Sequence, residues 1–209
     1  MKINYYQRSL TLIEQRDLTH GKPRLLLHAC CAPCACFPLH FLYPYFNITL
    51  YYNNSNIHPA HEYHRRLEEL QRYVNQFNQE KKEQVQIIVP PYKPEQYLAY
   101  LTPLKDEPER GKRCHLCYSI RMKEAYNHAN IHAFDYFTTA MTISRQKDSQ
   151  IINKIGLSLQ KQFPHVCYFE SDFKKNEGIL IANQIIKDNH LYRQNYCGCL
   201  YSFEKTKSS

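Results

Sequence analysis

Short apolar runs alternate with longer amphipathic stretches along most of the chain. Arg24 to Ala29 carries Leu25-Leu26-Leu27 and breaks at Cys30-Cys31-Ala32-Pro33-Cys34, and Ile48 to Tyr52 closes in Asn53-Asn54-Ser55-Asn56. Runs of this length ending in turn-forming residues read as strands buried on both faces. Between them, Cys36 to Phe46 is a candidate crossover helix whose length Pro38 and Pro44 limit. Ala60 to Asn78 places Leu67, Leu70, Val74 and Phe77 at three- and four-residue spacing among charged residues, which predicts an amphipathic helix.

Further on, Val85 to Val89 predicts a strand stopped by Pro90-Pro91, then a helix from Pro94 to Leu104, a polar loop to Arg113, and a helix beginning near Cys114. Phe134 to Ile143 is rich in strand formers. Ser144 is the expected N-cap of a helix with Ile151, Ile152, Ile155 and Leu159 on one face. Val166 to Phe169 and Gly178 to Asp188 complete the pattern as a strand and a helix. Strands alternating with helices predict one α/β domain over residues 1–209, a three-layer Rossmann-like or HUP-like arrangement around a parallel sheet. Ligands then sit at the carboxyl ends of the strands, where Cys30-Cys31, Asn53 to Asn56 and Thr142 to Ser144 all fall. The tail from Glu204 to Ser209 reads as disordered.

Glycine changes the picture by exclusion. Its five positions, Gly21, Gly111, Gly156, Gly178 and Gly198, are widely separated, which removes the Gly-rich phosphate loops of dinucleotide-binding and P-loop proteins. No apolar run is long enough to span a bilayer and the N-terminus lacks a signal-peptide core, so a soluble, cytoplasmic protein without a membrane partner is expected. Lys and Arg exceed Asp and Glu by 27 to 19, a net charge of +8, alongside 18 Tyr and 10 Phe. A basic surface interleaved with aromatics suits a polyanion with stackable bases, although many mildly basic proteins bind no nucleic acid.

The candidate chemistry lies in the cysteines. Eight of nine form three groups: Cys30-Cys31 with Cys34 and Cys36, Cys114 with Cys117, and Cys197-Gly198-Cys199. In a reducing compartment such groups point to a metal centre or a redox switch and not to structural disulfides. Cys30, Cys31, Cys114 and Cys117 offer four sulfur ligands from two segments, and Arg110, Lys112 and Arg113 precede the second. That set suits an iron-sulfur cluster; a zinc site and a thioredoxin-like dithiol are the alternatives. A helix N-terminus at Cys114 favours its thiolate. Cys34 is a candidate ligand of a second metal ion or a packed thiol, Cys36 and Cys167 read as core residues, and His28 reads as a hydrogen-bonded core histidine. Cys197 and Cys199 suit electron passage or redox gating, with free thiols or further metal ligands as the competing reading.

Four motifs in order, Leu27-His28-Ala29-Cys30-Cys31-Ala32-Pro33-Cys34, Tyr52-Asn53-Asn54-Ser55-Asn56-Ile57-His58-Pro59 with Glu62-Tyr63 and Arg65-Arg66, Lys112-Arg113-Cys114-His115-Leu116-Cys117, and Tyr192-Arg193-Gln194-Asn195-Tyr196-Cys197-Gly198-Cys199, resemble epoxyqueuosine reductases of the QueH type from about residue 24 to 203. The resemblance implies a cobalamin-independent oxidoreductase that reduces epoxyqueuosine to queuosine at the wobble position of tRNA, taking electrons from a separate donor. It implies a [4Fe-4S] cluster on Cys30, Cys31, Cys114 and Cys117, a redox-active disulfide between Cys197 and Cys199, and an adjacent mononuclear metal, iron, with Cys34 as its candidate ligand. Asn54, Asn56, Arg65, Ser144, Lys147 and Arg193 are the candidate substrate-binding residues. Where family members carry Asn-Pro-Asn, this chain has Asn54-Ser55-Asn56, so that loop is expected to be less rigid. An iron-sulfur enzyme of tRNA sulfur insertion and a zinc-stabilised RNA-binding module remain as alternatives, the first disfavoured by the lack of a Gly-rich ATP loop.

Overall fold

In the computed structural model, which describes residues 2–207, five strands form one all-parallel sheet. They are Arg24–His28 (β1), Asn47–Tyr51 (β2), Gln86–Ile88 (β3), Tyr136–Thr139 (β4) and Cys167–Tyr168 (β5), ordered β3-β2-β1-β4-β5. Leu25, Leu26 and Leu27 on the central strand are wholly buried, each worth roughly 1.5–3 kcal/mol of burial. Alternation sorts them. Leu25 and Leu27 join one core with Ala32–Leu42 (α2), Ala60–Lys81 (α3) and Gly178–Asp188 (α7), whereas Leu26 joins the opposite core with Pro94–Leu101 (α4), Lys112–Ile131 (α5) and Ser149–Gln160 (α6). The result is the expected three-layer α/β arrangement.

Beyond β1 the chain moves to β2 on one side, and β4 lies on the other. The topology therefore switches direction at the β1–β4 junction, and a crevice opens beyond the carboxyl ends of these two strands. Both Cys30-Cys31 and the segment after β4 emerge there.

Several boundaries differ from the sequence expectation for identifiable reasons. The helix α2 starts at Ala32, not near Cys36, because Pro33 occupies its first turn, where a missing amide costs nothing. Ser144 does not cap α6. Ala140–Ile143 is a 3₁₀ turn continuing β4, and Asp148 is the cap, its side chain accepting from the amide of Gln150 at 2.8 Å. An N-terminal helix, Tyr5–Glu14 (α1), buries Tyr5, Ser9 and Ile13. The tail read as disordered from Glu204 is helical in Leu200–Lys207 (α8), where Phe203 meets Tyr196 and Lys207 lies over the Phe203 ring; Ser208 and Ser209 fall outside the described residues. Cys36 is a core residue as expected, but Cys167, on the edge strand β5, is only half-buried. Among the described residues no helix is long and apolar enough to cross a membrane.

Candidate active site

The strand-to-helix turn after β1 puts Cys30 and Cys31 just before α2 and Cys34 within its first turn. Their three sulfurs all lie within 4.8 Å of one another, with Cys30 Sγ and Cys31 Sγ 3.8 Å apart. Such a thiol triad can hold a metal ion. Mutual hydrogen bonding divides the charge within it: bonds from Cys31 and then Cys34 depress the Cys30 thiol, while the Cys31 and Cys34 thiols are pushed up.

Cys114 and Cys117 approach from α5. Cys114 Sγ accepts from the Arg110 amide at 3.2 Å, and Cys117 Sγ lies 3.3 Å from the Tyr97 hydroxyl of α4. The expected thiolate-favouring effect of the helix start does not prevail, because burial comes first among the causes and pushes both thiols up. The basic residues ahead of Cys114 also do less than their position suggests. Arg113 is turned into the preceding loop, donating to the carbonyls of Leu104, Lys105 and Glu107, with its guanidinium over the Tyr201 ring.

Sequence reading missed the positive charge that matters. Arg121, one turn beyond Cys117, is buried at the centre of the site. Its guanidinium donates to Asn54 Oδ1 at 2.6 Å, to His28 Nε2 at 3.2 Å and to the Asn53 carbonyl at 3.4 Å. None of these partners is a carboxylate, and among the described residues no ion pair to Arg121 is recorded. Burial by itself lowers its pKa, yet the sulfurs of Cys117, Cys30 and Cys197 outweigh that and raise it. Cys117, Cys30 and Cys197, one from each cysteine group, thus lie within electrostatic reach of one buried cation. His28, as expected, is a core histidine: burial and then Arg121 hold it down at about 3, so it stays neutral, with Nδ1 on Thr139 Oγ1 at 2.8 Å.

Cys30, Cys34 and Cys197 open onto a cavity of about 860 Å³ lined also by Ser144, Arg145, Lys147, Arg193 and Gln194. Cys197 and Cys199 are both free thiols, so the disulfide expected between them is not formed and the pair stands as a dithiol. A hydrogen bond from Cys199 and the Lys147 ammonium depress the Cys197 thiol, and the same pairing pushes Cys199 up. Lys147 in turn is held protonated against burial by Cys197, Cys30 and Cys34. The loop carrying the pair is pinned from beneath. Arg66, buried against Glu62 at 2.7 Å, donates to the carbonyls of Cys197 and Tyr196, while the His58 amide donates to the Gly198 carbonyl at 2.7 Å. Gly198 has φ +114°, and a Cβ there would lie 2.8 Å from the Arg66 guanidinium, so glycine is required on both counts.

The expected substrate contacts divide in two. Ser144, Lys147 and Arg193 line the cavity. Asn54 and Asn56 are buried, Asn54 donating to the Ala29 carbonyl at 2.9 Å while accepting from Arg121, and neither lines the cavity. Arg65 lies over the Tyr192 ring, 3.5 Å from its centroid, and also off the cavity wall. The Ser55 hydroxyl accepts from the Lys93 amide at 3.0 Å, tying its loop to the segment before α4.

Residues 25–205 match the family model described as epoxyqueuosine reductase QueH. The chain belongs to the QueH family. It is 39% identical over 201 residues to the epoxyqueuosine reductase QueH of Streptococcus pyogenes serotype M1, covering 96% of this chain and 78% of that protein. Against the protein of the same name from Staphylococcus epidermidis it is 38% identical over 206 residues, 98% of this chain and 86% of the relative. A more distant relative of the same name, from Thermotoga maritima, is 28% identical over 85% of this chain and 89% of its own length.

Proposed function

We propose that this chain reduces epoxyqueuosine in tRNA to queuosine, with Cys30, Cys31, Cys114 and Cys117 holding a [4Fe-4S] cluster and Cys34 available to an adjacent iron. The observation that supports this reading is the buried cation Arg121, hydrogen-bonded to no carboxylate and with a cysteine of each group within electrostatic reach. A buried guanidinium without a carboxylate is costly unless another anion faces it, and a thiolate-ligated cluster is such an anion. The donor set is all sulfur, which suits iron-sulfur or zinc chemistry and not magnesium or calcium. Among the described residues only the triad Cys30, Cys31 and Cys34 is tight enough to surround a single ion; Cys114 and Cys117 suit the separate corners of a larger cofactor.

When bound, the cluster would supply single-electron transfer, and the iron beside Cys34 would supply Lewis acidity toward an oxygen leaving group. The residues of the chain supply the rest. Converting an epoxide to an alkene and water consumes two electrons and two protons. Closure of the Cys197 and Cys199 dithiol to a disulfide releases two electrons and two protons, so the pair balances one turnover and an external donor then reopens it. Cys197, the member with the depressed pKa, faces the cavity. Lys147 holds a positive charge beside it, toward the oxygen that departs. Ser144 on the wall is placed for the nucleoside, and Arg145 and Arg193 for the tRNA backbone.

Mass spectrometry of tRNA nucleosides from cells lacking the gene tests the reaction. Accumulated epoxyqueuosine, reversed by the wild-type gene and not by Cys197→Ser, is the expected result. Unchanged queuosine levels in an organism with no second reductase overturn it.

A further inference from the structure

Resting on the reading of Cys31, Cys114 and Cys117 as cluster ligands, we propose that Tyr97 is a positioning residue that sets the reduction potential of the cluster, and that Gln194 does the same at a second ligand.

Three of the four ligand sulfurs have a donor aimed at them, each from a different part of the chain. The Tyr97 hydroxyl on α4 lies 3.3 Å from Cys117 Sγ, Gln194 Nε2 lies 3.3 Å from Cys31 Sγ, and the Arg110 amide lies 3.2 Å from Cys114 Sγ. The fourth, Cys30, has only its cysteine neighbours and opens onto the cavity. Donors are thus gathered on the three sulfurs turned away from substrate. A hydrogen bond to a ligating sulfur withdraws electron density and stabilises the added electron, which raises the potential.

Two details show that these contacts are more than packing. The Tyr97 hydroxyl has one proton and two acceptors, Cys117 Sγ and the Cys117 carbonyl at 2.8 Å. A carbonyl inside an α-helix already accepts from the amide four residues on, so it has the lesser need, and a thiolate is the stronger acceptor. Gln194 presents its amide nitrogen to Cys31 while its Oε1 is buried with no partner. Leaving such an oxygen unbonded is costly, and the side chain accepts that cost in the orientation that serves the sulfur.

The test compares full-length wild type, Tyr97→Phe and Gln194→Leu, each reconstituted anaerobically with iron and sulfide. Iron and sulfide content is measured first, then the midpoint potential by titration followed through visible absorbance. Both variants are expected to load like wild type and to titrate at more negative potential. For Tyr97→Phe the expected loss is about tenfold in the reduction equilibrium, about 59 mV for one electron. Variants that load fully and keep the wild-type midpoint overturn the inference; a merely structural Tyr97 gives that outcome together with a lower melting temperature. Should Tyr97→Phe not retain the cluster, Gln194→Leu, outside the helical core, decides by the same criterion. Wild type that takes up no iron and sulfide is a different failure, which overturns the cluster reading itself.

Discussion

Arg121 makes opposite demands on the empty and the loaded protein, and the two can be separated. Without a cofactor it is a buried charge among neutral partners, so Arg121→Met exchanges lost hydrogen bonds against a relieved desolvation cost. The two effects are each of a few kcal/mol, and the net change in urea unfolding of the metal-free protein is expected to be under about 2 kcal/mol. Loaded, the same variant has lost the counter-charge, and iron retained after reconstitution and desalting should fall at least tenfold. A large apo-state loss with normal iron content would mean that Arg121 is only a structural hub. Cys197 offers a second residue-scale test. Its depressed pKa, caused first by Cys199 and then by Lys147, predicts that iodoacetamide labels Cys197 in the reduced protein at pH 6.5 while Cys199 stays unlabelled. Removing the cation raises the thiol pKa, so Lys147→Met should move the pH midpoint of labelling upward by about one unit, read by peptide mass spectrometry. Neither Arg121 nor its service to Asn54 stood out in the sequence. The available signal was an arginine four residues after Cys117, on the stripe that buries Tyr118, Met122 and Ala125.

At the scale of elements, the strands and the long helices were legible because their periodicity is unbroken, while the pieces that were not share a cause. In α1 the buried stripe runs Tyr5, Ser9, Ile13, and a serine in its middle hides the pattern. Ser144 and Asp148 are equally good caps, and the polar residues between them carry no periodic signal; only the 3₁₀ turn after β4 decides for Asp148. The same helix contains a tight contact that no propensity scale anticipates. Gly156 packs so closely on β5 that a Cβ would lie 2.1 Å from the Tyr168 ring. Gly156→Ala gains about 1 kcal/mol of helix propensity, but overpacking against a wholly enclosed ring costs about 1–3 kcal/mol and more when the ring cannot move. Tyr168 is buried between α5 and α6, so the steric term wins. The urea midpoint of Gly156→Ala should fall, and a rise would show that α6 can shift away from the sheet.

The whole molecule joins a short parallel sheet, whose switch point collects the sulfurs, to a cationic cavity rim, and each was legible to a different degree. The order of motifs announced the cysteines and grouped Cys34 with Cys30 and Cys31, but only the fold could tell that Asn54 and Asn56 support the site from within and do not line the cavity. Charge was visible only as a total, +8 over the chain. Its placement gives that total a consequence. Arg145 and Arg193 are exposed at the mouth of the cavity, where an anticodon loop has to pass if its wobble base is to reach Cys30 and Cys197. Each phosphate contact on a single strand contributes about 0.7 to the slope of log affinity against log salt. Arg145→Gln with Arg193→Gln is therefore expected to weaken tRNA binding at low salt and to flatten the slope by about 1.4. With phosphate contacts alone removed, turnover at saturating tRNA should stay near wild type while KM rises. A double variant that keeps the wild-type slope would move the tRNA path to another face, and the cavity would then receive the base alone.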